Sequence, residues 1–128
     1  MSIAYSNGKI FTGTKIEQDK ALLVKNGKVE GLVGNKEIPA GYMVEDLQGN
    51  LLAPALIDLQ IYGGNGKMFS QETSIESLKA TYEYCLSGGC SYFMITMATN
   101  SMDKFFFGLD VVKQYWQQGG KGLLGLHL

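Results

Sequence analysis

From residue 51 to the end of the chain one theme repeats, and it restricts the fold more than any other feature. Residues 51–61 are a mostly apolar run rich in Leu and Ile, as in a strand covered on both faces. Ile75, Leu78, Tyr82, Cys85 and Leu86 then recur at helical spacing. Thr73 with Glu76 three residues later reads as a capping box, and Gly88-Gly89 as a left-handed stop. A second buried-type strand, residues 90–98, leads to Ser101 as the N-cap of a second helix. Met102, Phe105, Phe106, Leu109, Val112 and Trp116 form its apolar stripe, Gly119-Gly120 ends it, and residues 123–128 read as a third strand. Strand, helix, strand, helix, strand is the order of right-handed parallel βα units. Three strands with two helices make an incomplete layer, either part of a larger β/α barrel or a small open α/β domain. The pattern alone does not choose.

The first fifty residues follow a different rule. Asn7-Gly8 and Asn26-Gly27 accept positive φ at both central positions of a type I′ turn, so each can join two antiparallel strands. Residues 2–6 are therefore expected to pair with 9–12, and 21–25 with 28–33. Pro39 and Gly41 punctuate the next connection before a short strand at Met43–Asp46. The 17 glycines, against a usual share of about 7%, agree with many tight turns. Two regions are expected: a β-module over 1–50 and the β/α layer over 51–128, both incomplete.

Composition removes several classes of function. With 11 basic and 12 acidic side chains and a net charge of -1, no basic surplus exists to neutralise phosphates, so a nucleic-acid partner is not expected. Residues 1–12 lack the charged start and apolar core of a targeting peptide. The apolar runs fall far short of the ~18 residues of a membrane span, so the expected location is the cytoplasm. Two cysteines and one histidine are too few for a disulfide framework or a zinc site, and Cys85 and Cys90 are expected to be reduced, partly buried thiols.

Few residues offer chemistry. The loop Gly63-Gly64-Asn65-Gly66-Lys67 invites a phosphate-binding reading. Ile61 and Met68 stand where a P-loop needs Gly and Ser or Thr, and Phe69 where the dinucleotide fingerprint needs a small residue. A flexible strand-to-helix loop remains, at the end of a strand where barrel enzymes place their active sites. His127 is the only histidine and Asp58 the only carboxylate inside the buried-type runs. A carboxylate so placed must be paired or hydrogen-bonded, or stay neutral.

The run Ala53-Pro54-Ala55-Leu56-Ile57-Asp58-Leu59-Gln60-Ile61-Tyr62-Gly63 resembles the first barrel strand of the amidohydrolase superfamily, where a Pro-Gly-x-Ile-Asp segment leads into His-x-His. Together with Gly125-Leu126-His127-Leu128, it resembles the N-acetylglucosamine-6-phosphate deacetylase family, in which the second segment continues into Glu-Gly-Pro and the Glu is a metal ligand. The resemblance covers essentially all 128 residues and about the first third of such an enzyme. It implies an α/β fold: part of a small β-sandwich module, then the first three strands and two helices of a metal-dependent (β/α)8 TIM-type barrel. Gln60 and Tyr62 occupy the two histidine places, and Tyr62 stands where members with Gln often carry Asn.

The implied reaction is hydrolysis of the acetamide of N-acetylglucosamine 6-phosphate to glucosamine 6-phosphate and acetate. The implied cofactor is one divalent metal ion, zinc, which activates water at neutral pH; the implied assembly is a homodimer. Gln60 and His127 are expected beside the substrate or behind the ligands, with no catalytic residue or metal ligand among these 128 and the chain alone inactive. The alternatives are another metal-dependent amidohydrolase and a non-catalytic α/β domain that binds a sugar phosphate or a protein.

Overall fold

The computed structural model describes all of residues 1–128, which divide into two compact units, Met1–Pro54 and Ala55–Leu128. The fold is mixed α/β, mostly strands with two helices. Neither helix is long and apolar enough to cross a membrane.

The first unit holds β1 (Ser2–Ser6), β2 (Lys9–Phe11), β3 (Ile16–Glu17), β4 (Lys20–Lys25), β5 (Lys28–Gly34), β6 (Met43–Asp46) and β7 (Leu51–Leu52), with one 3-10 turn at Asn35–Glu37. Two sheets form, in the orders β5-β4-β1-β6 and β3-β2-β7. The β4–β5 hairpin is as expected: Asn26 and Gly27 take φ of 51° and 75°, and Lys25 faces Lys28.

The other expected hairpin is absent. β1 pairs with β4 and β6, and β2 pairs with β3 and β7. Asn7 has a positive φ of 55° but Gly8 does not, so the I′ geometry fails. Gly8 answers a different demand, since a Cβ there would lie 2.6 Å from both the Asn50 carbonyl oxygen and the Leu47 Cβ. At Asn7-Gly8 the chain passes from one sheet to the other beside the β6–β7 connection, held by Leu47 N to Ser6 O at 2.8 Å and Gly49 N to Asn7 O at 2.7 Å. Ala4, Ile10, Ala21 and Leu23 are the buried apolar residues of this unit.

The second unit contains β8 (Leu56–Ile61), β9 (Gly63–Gly64), β10 (Lys67–Met68), α1 (Ile75–Ser87), β11 (Cys90–Thr96), α2 (Met102–Gln117) and β12 (Leu123–His127). β8, β11 and β12 form a parallel sheet in the order β12-β11-β8. Both crossovers advance in the same direction, so right-handed connections place both helices on one face. One core joins them to it: Leu78 and Cys85 from α1 and Val111, Val112 and Tyr115 from α2, with Phe69, Phe93, Ile95 and Leu123.

The structure corrects several expectations. The run 51–61 is two strands broken at Ala53-Pro54-Ala55: Leu51–Leu52 pairs with β2, and Leu56–Ile61 with β11. β8 is an edge strand, and Leu56, Ile57 and Leu59 are exposed. The glycine-rich loop is a small hairpin, β9–β10, turned by Asn65 and Gly66 at φ of 49° and 78°. Ser74, not Thr73, caps α1: its hydroxyl accepts from Ser77 N at 3.1 Å, while Thr73 donates to the Phe69 carbonyl at 2.8 Å. Glu76 then falls one residue early for a capping box.

Ser101 caps α2 as expected. The buried stripe of that helix is rotated from the expected one to Gly108, Val111, Val112 and Tyr115, leaving Met102, Phe106 and Trp116 exposed. Gly108 brings the helix so close to the sheet that a Cβ would lie 2.8 Å from Met97 Cε. The two thiols are free and buried.

Candidate functional site at the carboxyl edge of the parallel sheet

Because β8, β11 and β12 are parallel, their carboxyl ends bring residues 60–62, 96 and 127 to one edge. Ile61 lies opposite Ile95, and Ile95 opposite Leu126; all three belong to or pack against the core under the helices. Alternation of side chains therefore sends Tyr62, Thr96 and His127 to the helix-free face. Gln60 joins them through an irregularity. Asp58 opposes Phe93 and Ile61 opposes Ile95, so β8 spends three steps where β11 spends two, which is a β-bulge at Leu59-Gln60.

The bulge is held locally. Asp58 Oδ1 accepts from Gln60 N at 2.9 Å. The Leu59 carbonyl faces the ring of His127, with Nδ1 to O at 3.1 Å, so His127 reaches from β12 across β11 to β8. A carbonyl oxygen only accepts, so Nδ1 carries the proton; in the neutral imidazole Nε2 is then a free acceptor. Gln60 Nε2 lies 3.2 Å from the Tyr62 hydroxyl. Donation by that amide leaves its Oε1 as an acceptor and the phenolic proton as a donor.

The structure thus brings Gln60 and His127 to the same face, with Tyr62 beside them. Thr96 completes the edge and was not expected. It lies opposite His127, is 4% exposed, and its buried hydroxyl has no hydrogen-bond partner. Its sequence signal was faint, a threonine at the end of a mostly apolar run, where threonine is an ordinary strand former. Asp58 lies on the helix side, where it lines a cavity with Tyr84 and Cys85. Burial, the Cys90 thiol and the Asp58 charge push the Cys85 thiol up to about 11. Lys67 of the glycine hairpin is paired with Glu72.

These groups suit a neutral polar ligand: two acceptors, Gln60 Oε1 and His127 Nε2, and one donor, the Tyr62 hydroxyl. They do not fit a metal ion. No three His, Cys, Asp or Glu side chains come together anywhere in the chain, and one imidazole beside an amide and a phenol falls short of the three protein ligands of a catalytic zinc.

Residues 3–52 match the NagA composite domain family. Across all 128 residues the chain is 31% identical to N-acetylglucosamine-6-phosphate deacetylase of Haemophilus influenzae, spanning 34% of that protein. Its fold matches the crystal structure of N-acetylglucosamine-6-phosphate deacetylase from Pasteurella multocida with a TM-score of 0.92 at 30% identity, over 99% of this chain and 34% of that one. The deacetylase of Mycobacterium smegmatis shares the fold, with a TM-score of 0.80 at 17% identity, over 100% of this chain and 35% of that one. A shorter stretch of 48 residues, 35% of this chain and 12% of the relative, is 44% identical to imidazolonepropionase of Klebsiella pneumoniae. The chain spans about a third of the length of the deacetylases it matches. In sequence and in fold the whole chain is thus similar to a part of N-acetylglucosamine-6-phosphate deacetylases, with the NagA composite domain matched over residues 3–52.

Proposed function

We propose that the complete protein containing this chain hydrolyses the acetamide of N-acetylglucosamine 6-phosphate, releasing acetate and glucosamine 6-phosphate. The observation that carries this reading is the end-to-end match, in sequence and in fold, to a deacetylase of that specificity. In the same proposal residues 1–50, with Leu51–Leu52 as a last strand, belong to a β-sandwich module. Residues from β8 onward are the first three strands and two helices of a (β/α)8 barrel, whose active sites lie at the carboxyl ends of the strands. The protein works in the cytoplasm as a homodimer.

The chain's share of the reaction is orientation. Gln60 Oε1 and His127 Nε2 accept from N–H or O–H groups of the substrate, and the Tyr62 hydroxyl donates to one of its oxygens. The divalent metal, zinc, is held by residues outside these 128, and one ion is bound per chain. Gln60 and Tyr62 cannot replace two imidazoles for a second borderline-soft ion. No step assigned to this chain runs through the metal.

The test is acetate release by the complete protein from N-acetylglucosamine 6-phosphate, with imidazolonepropionate beside it because of the shorter match to imidazolonepropionase. Turnover of the amino sugar and not of the other supports the proposal; the reverse overturns it. Metal analysis giving two tightly held equivalents per chain overturns the one-ion reading.

A further inference from the structure

We infer that Asp58 is a positioning residue: by accepting the Gln60 N–H it builds the β-bulge that turns Gln60 into the site and presents the Leu59 carbonyl to His127. The inference rests on the proposed function for its kinetic readout only.

Register carries the argument. Asp58 faces the helix side, opposite Phe93 of the core. Strict alternation from Asp58 would send Leu59 to the helix-free face, return Gln60 to the helix side and expel Ile61 from the core. The extra residue corrects both. Ile61 packs in the core, and the Gln60 amide meets the Tyr62 hydroxyl at 3.2 Å on the other face.

A bulge disrupts the ladder locally, and Gln60 N lies within this one. Asp58 Oδ1 satisfies it at 2.9 Å, in a turn where a side chain bonds its own backbone two residues on. One residue earlier the Leu59 carbonyl receives His127 Nδ1 at 3.1 Å. Its bond fixes which ring nitrogen is left bare. The Leu59 carbonyl and the Gln60 N–H are the two ends of one peptide group, so Asp58 acts through that group on two side chains that it does not touch. The role needs an acceptor oxygen at Oδ1 and no negative charge, so asparagine can fill it and alanine cannot.

The experiment uses the complete protein with D58A, D58N, H127A and the double variant D58A/H127A. D58A is expected to lower kcat/KM by at least about tenfold, the loss of one hydrogen-bond's worth of orientation. D58N should stay within about threefold of wild type. In the H127A background D58A should cost clearly less than alone, because both act through the Leu59 carbonyl. Losses that simply multiply, or a D58N as damaged as D58A, overturn the inference. A crystal structure of D58A supplies the readout independent of activity, with the bulge lost and the His127 ring released from Leu59. An intact bulge and contact overturn the inference even if the wild type turns over another substrate. A wild type inactive on N-acetylglucosamine 6-phosphate overturns the proposed function alone, and the variant structure still decides the role of Asp58. Should D58A fail to fold, D58N decides by its kinetics and its bulge.

Discussion

Ser74 and Thr73 show how much one hydroxyl's position matters. Both are short polar residues ahead of α1, but only the Ser74 oxygen points back at the first turn to accept from Ser77 N; Thr73 spends its proton on the Phe69 carbonyl. Ser74→Ala should therefore lower the stability of the complete protein by about 1 kcal/mol, while Ser74→Asp keeps the cap. Equal midpoints for Ser74→Ala and wild type in urea would place the helix start elsewhere. Cys85 supplies a pH test. Its thiol, buried and pushed up to about 11, holds its proton more tightly folded than unfolded. The resulting stability is fully present below the ordinary thiol value and is lost as pH rises from about 9 towards 11. The stability difference between wild type and Cys85→Val should shift against the wild type across that window. A difference that is constant, or that moves the other way, refutes the burial argument. Gln60 and His127 were singled out by the family resemblance, and the strand-helix-strand order was enough to bring both to the carboxyl edge of one parallel sheet. Asp58 and Thr96 were not legible in their roles, since one depends on a bulge and the other on which strand pairs with which.

At the level of elements, local signals succeeded where the turn itself decides the pairing. Asn26-Gly27 closes a hairpin because its neighbours are free to pair. Asn7-Gly8 does not, because β6 and β4 occupy the sides of β1, and tertiary pairing overrides the dipeptide. Parallel strands and helices in the second unit were readable from period alone, but not the break at Pro54 or the rotation of α2. Large apolar residues suggested one stripe, while packing selected the one containing Gly108, the smallest residue. Glycine positions make the contrast measurable. Gly122 has φ of 77°, and a Cβ there would lie 2.3 Å from the Tyr82 ring and 2.9 Å from the Ser91 carbonyl oxygen. Gly108 would meet chiefly the flexible end of Met97. Gly122→Ala is expected to cost more than about 2 kcal/mol, the left-handed backbone alone accounting for about 1–2. Gly108→Ala should cost under about 1 kcal/mol, since Met97 can move and alanine favours the helix. Similar losses in thermal unfolding would show that the close approach at Gly122 is not what its backbone requires.

At the scale of the whole molecule, the decisive fact is the shared direction of the two crossovers. A doubly wound sheet reverses its strand order and so covers both faces; β12-β11-β8 does not reverse, and its helices cover one face only. That winding is the one the proposed barrel requires, in which the uncovered face would become the interior on closure of the sheet. Within these 128 residues it does not close. β8 and β12 each keep one unpaired side, and Leu56, Leu59, Leu124 and Leu128 are exposed. Unpaired strand edges with apolar side chains favour association with other chains. The 14.0 kDa chain produced alone is therefore expected to run well above its own mass in analytical ultracentrifugation and to bind an apolar dye, whereas the complete protein, with its sheet closed as proposed, should give one discrete species with little dye bound. The chain alone should also release no acetate from N-acetylglucosamine 6-phosphate with zinc added, since it brings no three metal-ligating side chains together. A dye-free monomer would mean that the exposed face is stable in water and that closure is not what the sheet lacks. Turnover by such a monomer would require a metal site built from residues that the fold holds apart.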